Sequence, residues 1–219
     1  MNNPTAEQFG TYQSMYEYFN KQLFKSELPN CLLNFSRKNK KSAGHFSPDR
    51  WQGKDASTHE ININPLHLAN DSDIEVAQTL VHEMCHLWQQ EFGKPSRANY
   101  HNKEWANKMQ EVGLMPSSTG RAGGKTTGQS MSDYPIENGV FEKVFNEMPK
   151  HLLFPFKSAE KQKKKKPAAA KKNKIKYTCQ ECSTNVWGKE ELKILCMNCV
   201  GDEMPTQEEM QTYLMQPAN

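Results

Sequence analysis

The stretch VHEMCHLWQQEFGKPSRANYHNKEW, residues 81–105, contains three of the seven histidines in the chain. His82 and His86 are four residues apart, so on a helix their imidazoles project from one face. Apolar residues recur around them at helical spacing, which predicts a helix with a broad buried side. These apolar positions are Ile74, Ala77, Leu80, Val81, Met84 and Leu87. Asp71 or Ser72 can cap this helix, and Gly93 ends it after about Phe92.

The pattern His-Glu-x-x-His is typical of a zinc site on one helical face, with Glu83 directed toward the same cleft. A third ligand must come from another element, and His101 is well placed at the start of the next predicted helix. Glu91 is the alternative, but it lies five residues beyond His86 and therefore off the ligand face. Three ligands leave one zinc position for water, whose proton Glu83 can accept and later deliver to a leaving amine. Without a metal, these histidines would be ordinary hydrogen-bonded residues.

The flanking sequence predicts a mixed fold. One apolar stripe indicates an opening helix that ends before Pro29. Strands are predicted over residues 31–36 and 59–63, with another short strand between them. A helix from about Asn102 to Gly113 follows the histidine helix. We therefore expect an α+β fold in which helices pack on a small β-sheet. The stripe consists of Phe9, Tyr12, Tyr16, Phe19 and Leu23.

A cysteine-rich segment follows near the C-terminus, YTCQECSTNVWGKEELKILCMNC, residues 177–199. It holds two Cys-x-x-Cys pairs separated by thirteen residues. This spacing predicts a zinc ribbon whose four thiolates close the coordination sphere, so its zinc would stabilise the fold and perform no chemistry. The alternative is two redox-active or free cysteine pairs. The predicted ligands are Cys179, Cys182, Cys196 and Cys199. A short helix is predicted from Thr206 to about Met215.

Positive charge is concentrated in one segment. Lys157–Lys176 contains ten lysines and one glutamate, a local charge of +9, which leaves −6 for the rest of a chain whose net charge is +3. Such a segment buries too little apolar surface to fold, so we expect a flexible linker over residues 157–175. It is either a solvated tether or a non-specific contact for nucleic acid. In the ribbon, Trp187 could stack on a base, but the favoured interpretation is that it packs against the zinc site.

A segment rich in glycine, serine and threonine, residues 117–134, lies between the histidine motif and the lysine-rich linker. Its sequence TGRAGGKTT suggests a phosphate-binding loop, which requires glycine five residues before the Gly-Lys pair. That position is Thr119, and no strand is predicted to precede it, so a nucleotide site is not expected. A loop on the substrate side of the cleft remains a hypothesis.

Together, HEMCHLW, the fifteen-residue step from His86 to His101, and HNKEW resemble the SprT-like metalloproteases, relatives of Spartan. The resemblance also includes YFNKQLF, ELP, NFSRKNKKSAGHFSP and HEININP upstream and the cysteine module downstream. It implies that His82, His86 and His101 bind a catalytic Zn²⁺ and that Glu83 is the catalytic base. Where the family often has glycine after the third histidine, this chain has Asn102.

The resemblance further implies a zincin-like metalloprotease domain over residues 1–156, followed by the linker and by a zinc ribbon over residues 176–219. The expected cofactors are two zinc ions, one catalytic and one structural. The expected partners are protein substrates and DNA, which the linker and ribbon would contact. No membrane span or signal peptide is predicted, so we expect a cytoplasmic, nucleoid-associated protein, or a nuclear one in a eukaryote. The competing hypothesis is a non-catalytic zinc-ribbon module that binds nucleic acid, although Glu83 would be unnecessary there.

Overall fold

The computed structural model describes residues 3–36, 42–97, 100–159, 174–201 and 204–217. The chain divides into two compact units, Met1–Gln162 and Lys163–Asn219, and each has its own apolar cluster. The central part of the predicted linker, residues 160–173, lies outside the described residues. Within the described ranges, no helix combines the length and the apolar character needed to cross a membrane.

The first unit mixes helices with two small sheets, as the sequence predicted for an α+β fold. Its elements are α1 (Pro4–Leu23), β1 (Leu32–Phe35), β2 (Gly44–Gln52), β3 (Ser57–Ile63), α2 (Pro65–Asn70), α3 (Asp73–Phe92), α4 (Lys103–Glu111), β4 (Leu114–Ser117), β5 (Ser132–Pro135), α5 (Val140–Glu147) and a short 3-10 turn (Lys150–Leu152).

Helix α1 begins at Pro4, where the Asn3 side chain accepts a hydrogen bond from the Ala6 amide. Capping side chains of this kind satisfy amides that have no partner within the helix. The predicted apolar stripe is largely buried, including Tyr12, Tyr16 and Phe19. At the other end of the unit, Phe156 exchanges two hydrogen bonds with the Gln8 side chain, each of 3.1 Å. The end of this unit is therefore held against its first helix.

The main sheet has the strand order β1-β3-β2, with β1 parallel and β2 antiparallel to β3. Both predicted strands are confirmed within a residue or two at each end. A short strand was predicted between these two, and the structure has a longer one there, the nine-residue β2. The C-terminal half of this edge strand is exposed, so it lacks the apolar alternation that identified β3.

Helix α3 packs on β2, on β3 and on helix α4. Ser72 is its N-cap, and the Glu75 carboxylate accepts a hydrogen bond of 2.7 Å from the Ser72 amide. Asn102 caps α4 by accepting a hydrogen bond from the Trp105 amide at 3.0 Å. These caps confirm where the two helices were predicted to begin. They also fix where His82, His86 and His101 stand in space.

The second sheet of this unit is a two-stranded antiparallel hairpin of β4 and β5. Its loop contains most of the glycine-rich segment. The Ser117 hydroxyl, which is buried, accepts hydrogen bonds from the Thr119 and Arg121 amides at 3.2 Å each. Side chains thus order a loop that contains little regular structure.

The second unit contains β6 (Ile175–Thr178), β7 (Asn185–Gly188), α6 (Met197–Val200), α7 (Met210–Tyr213) and β8 (Gln216–Pro217). Strand β6 pairs with β7 and β8. The helix predicted from Thr206 to Met215 is shorter, because the chain leaves the helix after Tyr213 and then pairs with β6 as strand β8. The Met215 amide donates to the Ile194 carbonyl, and the Met215 side chain is buried beside Tyr177.

Candidate metal centre

Three histidines from two elements converge in the first unit. His82 and His86 lie one turn apart on α3, and His101 directly precedes the N-cap of α4. One ring nitrogen from each lies within 4.8 Å of those of the other two. This spacing is compatible with three ligands around one ion. The structure therefore brings together the three residues that the sequence predicted as ligands.

Two of these rings are oriented by partners on the β4–β5 hairpin. His82 Nδ1 lies 2.8 Å from Asp133 Oδ1. His101 Nδ1 lies 3.1 Å from the Gly128 carbonyl oxygen, and the His101 and Gly128 backbones also form a pair of hydrogen bonds. A histidine whose Nδ1 contacts an acceptor presents Nε2 to a metal. The contacts thus leave the Nε2 atoms of both residues available on the ligand side.

Trp105 packs against all three imidazoles. Its ring centroid lies 4.9 Å from that of His82, 5.2 Å from that of His86 and 4.3 Å from that of His101. The indole is fully buried and stacks nearly parallel to His86, with an interplanar angle of 20°. Because interiors are densely packed, this contact restricts the rotamers of the histidines. Nothing in the sequence pattern of the histidines identified Trp105 as part of the site.

Glu83 lies beside the cluster and is almost entirely buried. Burial raises the pKa of its carboxyl to about 7, and the nearby Asp133 charge adds to this, although His82 and a hydrogen bond from the Phe46 amide oppose it. A carboxyl group with a pKa near neutrality can both accept and donate a proton at physiological pH. The acidity of this carboxyl group is therefore compatible with the role that the sequence predicted for Glu83.

The charges of the pocket fit a divalent cation. Burial lowers the pKa of His86 well below its usual value and that of His101 to about 4, so both imidazoles are neutral at pH 7. Two buried carboxyl groups, Glu83 and Asp133, stand beside them. Asp133 Oδ2 is buried without a hydrogen bond to any described residue. Buried negative charge is costly unless a cation compensates it, so the donor set and its surroundings suit zinc.

Zinc affinity at the three histidines is expected to fall as the pH is lowered. Burial tends to lower the pKa of His82, but the Asp133 carboxylate outweighs this and raises it, so His82 is the first of the three to take up a proton. Zinc binds only the neutral imidazole. Below the raised pKa of His82, affinity should drop by about tenfold per pH unit, as measured by chelator competition. A pH-independent affinity over about pH 8 to pH 5 would contradict this account.

Two cavities meet at the histidine cluster. One, of about 740 Å³, extends toward the N-terminal half of α3. The other, of about 900 Å³, extends toward its C-terminal half and the start of α4. Gly44, His82, Glu83 and Met131 border both cavities. An extended ligand lying in both cavities would pass directly over Glu83.

Gly44 is a point of close approach between β2 and α3. A Cβ atom there would lie 2.8 Å from Thr79 Cγ2, 2.9 Å from the Asn62 carbonyl oxygen and 3.0 Å from Glu83 Oε1. Gly44→Ala is therefore expected to destabilise the protein by about 1–3 kcal/mol, as overpacking does, and to displace Glu83. Gly10→Ala is the matched control. Its Cβ would meet nothing within 4 Å in the middle of α1, so the helix should gain about 0.5–1 kcal/mol. Urea unfolding midpoints that moved in the same direction for both variants would contradict the prediction.

The second unit contains the other candidate metal site. The four predicted cysteine sulfurs lie within 4.8 Å of one another, and all four are free thiols. The Cys179 and Cys199 sulfurs are 3.8 Å apart, and those of Cys182 and Cys196 are 3.5 Å apart. Four thiols in one compact group can close a tetrahedral zinc site without leaving a position for substrate. These two groups are the candidate metal sites found within the described residues.

The remaining candidates from the sequence have other contacts. Glu91, the alternative ligand, lies 2.9 Å from His59 Nε2, away from the cluster. The favoured interpretation of Trp187 was wrong, since its residue surface is 60% exposed. Successive side chains of β7 point to opposite faces, so Val186 packs against the cysteine-containing cluster and Trp187 points away from it.

Sequence reasoning missed Asp133 and Gly128. Both lie in the glycine-rich segment or at its end, and both contact ring nitrogens of the cluster. A serine- and glycine-rich loop carries no periodicity that would indicate such contacts. The only available signal was an acidic residue isolated in a strand-like stretch.

Comparison with known proteins gives the family. An uncharacterised protein encoded in the mucB 3′ region of Salmonella typhimurium is 38% identical to this chain over 56 residues, which are 26% of this chain and 74% of that protein. A model of the SprT-like family matches residues 12–124, which include the three histidines and Glu83. The chain therefore belongs to the SprT-like family, whose members generally contain a metalloprotease-type domain.

Proposed function

We propose that this protein is a zinc-dependent endopeptidase with a zincin-like catalytic domain, which hydrolyses proteins associated with or crosslinked to DNA. His82, His86 and His101 would hold the catalytic zinc, and Glu83 would be the general base. The observation that carries the proposal is the position of the buried Glu83 beside three convergent histidines, where two cavities meet.

Zinc bound to the histidines would supply a Lewis acid that makes water nucleophilic near neutral pH. Glu83, with a pKa of about 7, would accept the proton of the attacking water and deliver it to the leaving nitrogen. The two cavities would hold the polypeptide on both sides of the bond that is cut. Cleavage within a chain, not only at its ends, is the activity that such a cleft favours.

The proposal is tested by measuring zinc content and cleavage together. Purified full-length protein should contain two zinc ions and should cut a basic DNA-binding protein. We expect single-stranded DNA to increase the rate. Two zinc ions with no cutting under any condition would favour the competing hypothesis, in which the chain is a non-catalytic recruitment module. Cutting that DNA leaves unchanged would retain the protease and remove the role of DNA.

The lysine-rich linker and the ribbon would provide the attachment to DNA. The exposed Trp187 is paired directly opposite the exposed Lys176 across β6 and β7. An exposed indole beside a cation suits stacking on a base next to a phosphate. Lys189 and Lys193 are also exposed in this unit, and their charge would add a salt-sensitive contribution.

Replacing Trp187 tests that attachment. Trp187→Ala should weaken binding of single-stranded DNA by about 1–3 kcal/mol while leaving both zinc sites filled. Met204→Ala is the control, since Met204 is an exposed apolar residue in the same unit without aromatic character. Equal affinities for wild type and both variants would exclude stacking on Trp187. Salt dependence of the residual binding would then measure the contribution of the lysines.

A further inference from the structure

The β4–β5 hairpin contains the glycine-rich segment for which the sequence suggested only a loop on the substrate side. The family match ends at residue 124, so the second half of this hairpin lies beyond it. Yet this half provides the contacts that orient two of the three clustered histidines.

The first contact is that between Asp133 Oδ1 and His82 Nδ1, at 2.8 Å. The Asp133 backbone is held independently, by pairing of β5 with β4 and by a hydrogen bond of 2.9 Å from Gln78 to its carbonyl oxygen. The carboxylate is therefore not needed to keep β5 in place. It is also buried, and its second oxygen has no hydrogen bond to a described residue. Burying a carboxylate with one unpaired oxygen costs free energy in the metal-free fold, which the contact with His82 offsets only in part.

The second contact involves Gly128, whose carbonyl oxygen faces both His101 Nδ1 and the His101 amide, at 3.1 and 2.8 Å. Gly128 has a φ of +153°, which side chains other than glycine rarely adopt. The unusual backbone directs the carbonyl toward the histidine. A Cβ at this position would otherwise have room, since its nearest neighbour is Met131 Sδ at 3.5 Å.

From these contacts we propose that the β4–β5 hairpin positions two of the three zinc ligands, with Asp133 fixing His82 and the Gly128 carbonyl fixing His101. This inference rests on the proposed function, because it assumes that zinc binds the three histidines. Asp133 and Gly128 are positioning residues, which hold each imidazole in the form that offers Nε2 to the metal. Partners of this kind make a histidine a better ligand, and their loss typically weakens metal binding by about 10- to 100-fold.

The test compares zinc affinity in full-length wild type and in Asp133→Asn by chelator competition. The four-cysteine site serves as the internal reference in each sample. Asp71→Asn is the matched control, because Asp71 Oδ2 lies 2.7 Å from His67 Nδ1, an equivalent pair outside the cluster. We expect the histidine site to bind zinc about 10- to 100-fold more weakly in Asp133→Asn and unchanged in Asp71→Asn. The thermal midpoint of the metal-free protein should stay the same or rise, since a buried charge is removed.

The two measurements, zinc affinity and the thermal midpoint of the metal-free protein, distinguish positioning from a purely structural role. A purely structural role would lower the metal-free midpoint and leave zinc affinity intact. A second pair of variants is independent of Asp133. Gly128→Ala should also weaken zinc binding at the histidines, whereas Gly123→Ala should not, although Gly123 lies in the same loop with a positive φ of 84°.

Wild-type affinity in both Asp133→Asn and Gly128→Ala would overturn the positioning proposal while leaving the proposed function intact. A wild-type protein that takes up zinc only at its cysteines would overturn both. The two failures are therefore distinguishable in one set of titrations.

Discussion

Glu83→Gln is expected to lose peptide-bond cleavage almost completely while keeping both zinc ions. Glutamine fills the same buried space beside the histidines but cannot accept a proton, and general acid–base catalysis contributes about 10²- to 10⁴-fold to such reactions. The measurement is single-turnover cleavage of a basic protein, with zinc content determined on the same sample. Retained zinc shows that the loss is chemical and not a collapse of the site.

Glu91→Gln provides the matched control for this variant. Glu91 lies on the same helix, but its carboxylate contacts His59 and not the cluster. Its cleavage rate should remain within a few-fold of wild type, since surface changes have small effects. If Glu83→Gln cut as fast as Glu91→Gln, Glu83 would not be the base and the proposed mechanism would be wrong.

The second large effect is expected from Cys196→Ser, which should unfold the ribbon and leave the histidine site loaded. The buried cluster of the second unit is small, consisting of Tyr177, Cys179, Cys196 and Met215. So small a core cannot offset the loss of chain entropy, and zinc contributes about 10–16 kcal/mol to the folding of comparable modules. Zinc content should fall from two ions to one. Backbone NMR signals of the ribbon should collapse to unfolded positions.

Cys31→Ser controls for the general effect of removing a thiol. Cys31 is half-buried in the first unit and belongs to neither metal cluster. This variant should retain two zinc ions and dispersed ribbon signals. A folded ribbon in Cys196→Ser would mean that the apolar cluster and the strands suffice without the metal.

Local signals in the sequence predicted α3, which carries His82 and His86, and α4, which His101 precedes. The apolar spacing around His82 and the caps at Ser72 and Asn102 act within a few residues, so they can be recognised without a fold. That His101 lies close to His86 was predicted from the motif and not from a local helix signal. In the structure, one ring nitrogen from each of the three histidines lies within 4.8 Å of those of the other two.

What could not be predicted arises from tertiary contacts. Asp133 reaches His82 across 51 residues of sequence, and Gly128 reaches His101 across 27. Gly128 does not differ from the other glycines of its loop in any way that composition reveals, and the one acidic residue of the segment gives no indication of its partner. Trp187 was misinterpreted for a related reason, since its exposure is set by the face of β7 on which it lies, opposite to that of Val186, and not by its apolar character.

The hydrogen bonds between Gln8 and Phe156 have a consequence for protein engineering. They place the beginning and the end of the first unit side by side, although 148 residues separate them in sequence. Units with adjacent ends tolerate circular permutation, in which a short peptide joins the old termini and new ones open elsewhere. The exposed turn near Gly53, between β2 and β3, offers an opening remote in sequence from His82, His86 and His101. A permuted first unit would show whether the order in which the chain is synthesised matters for assembling the metal centre.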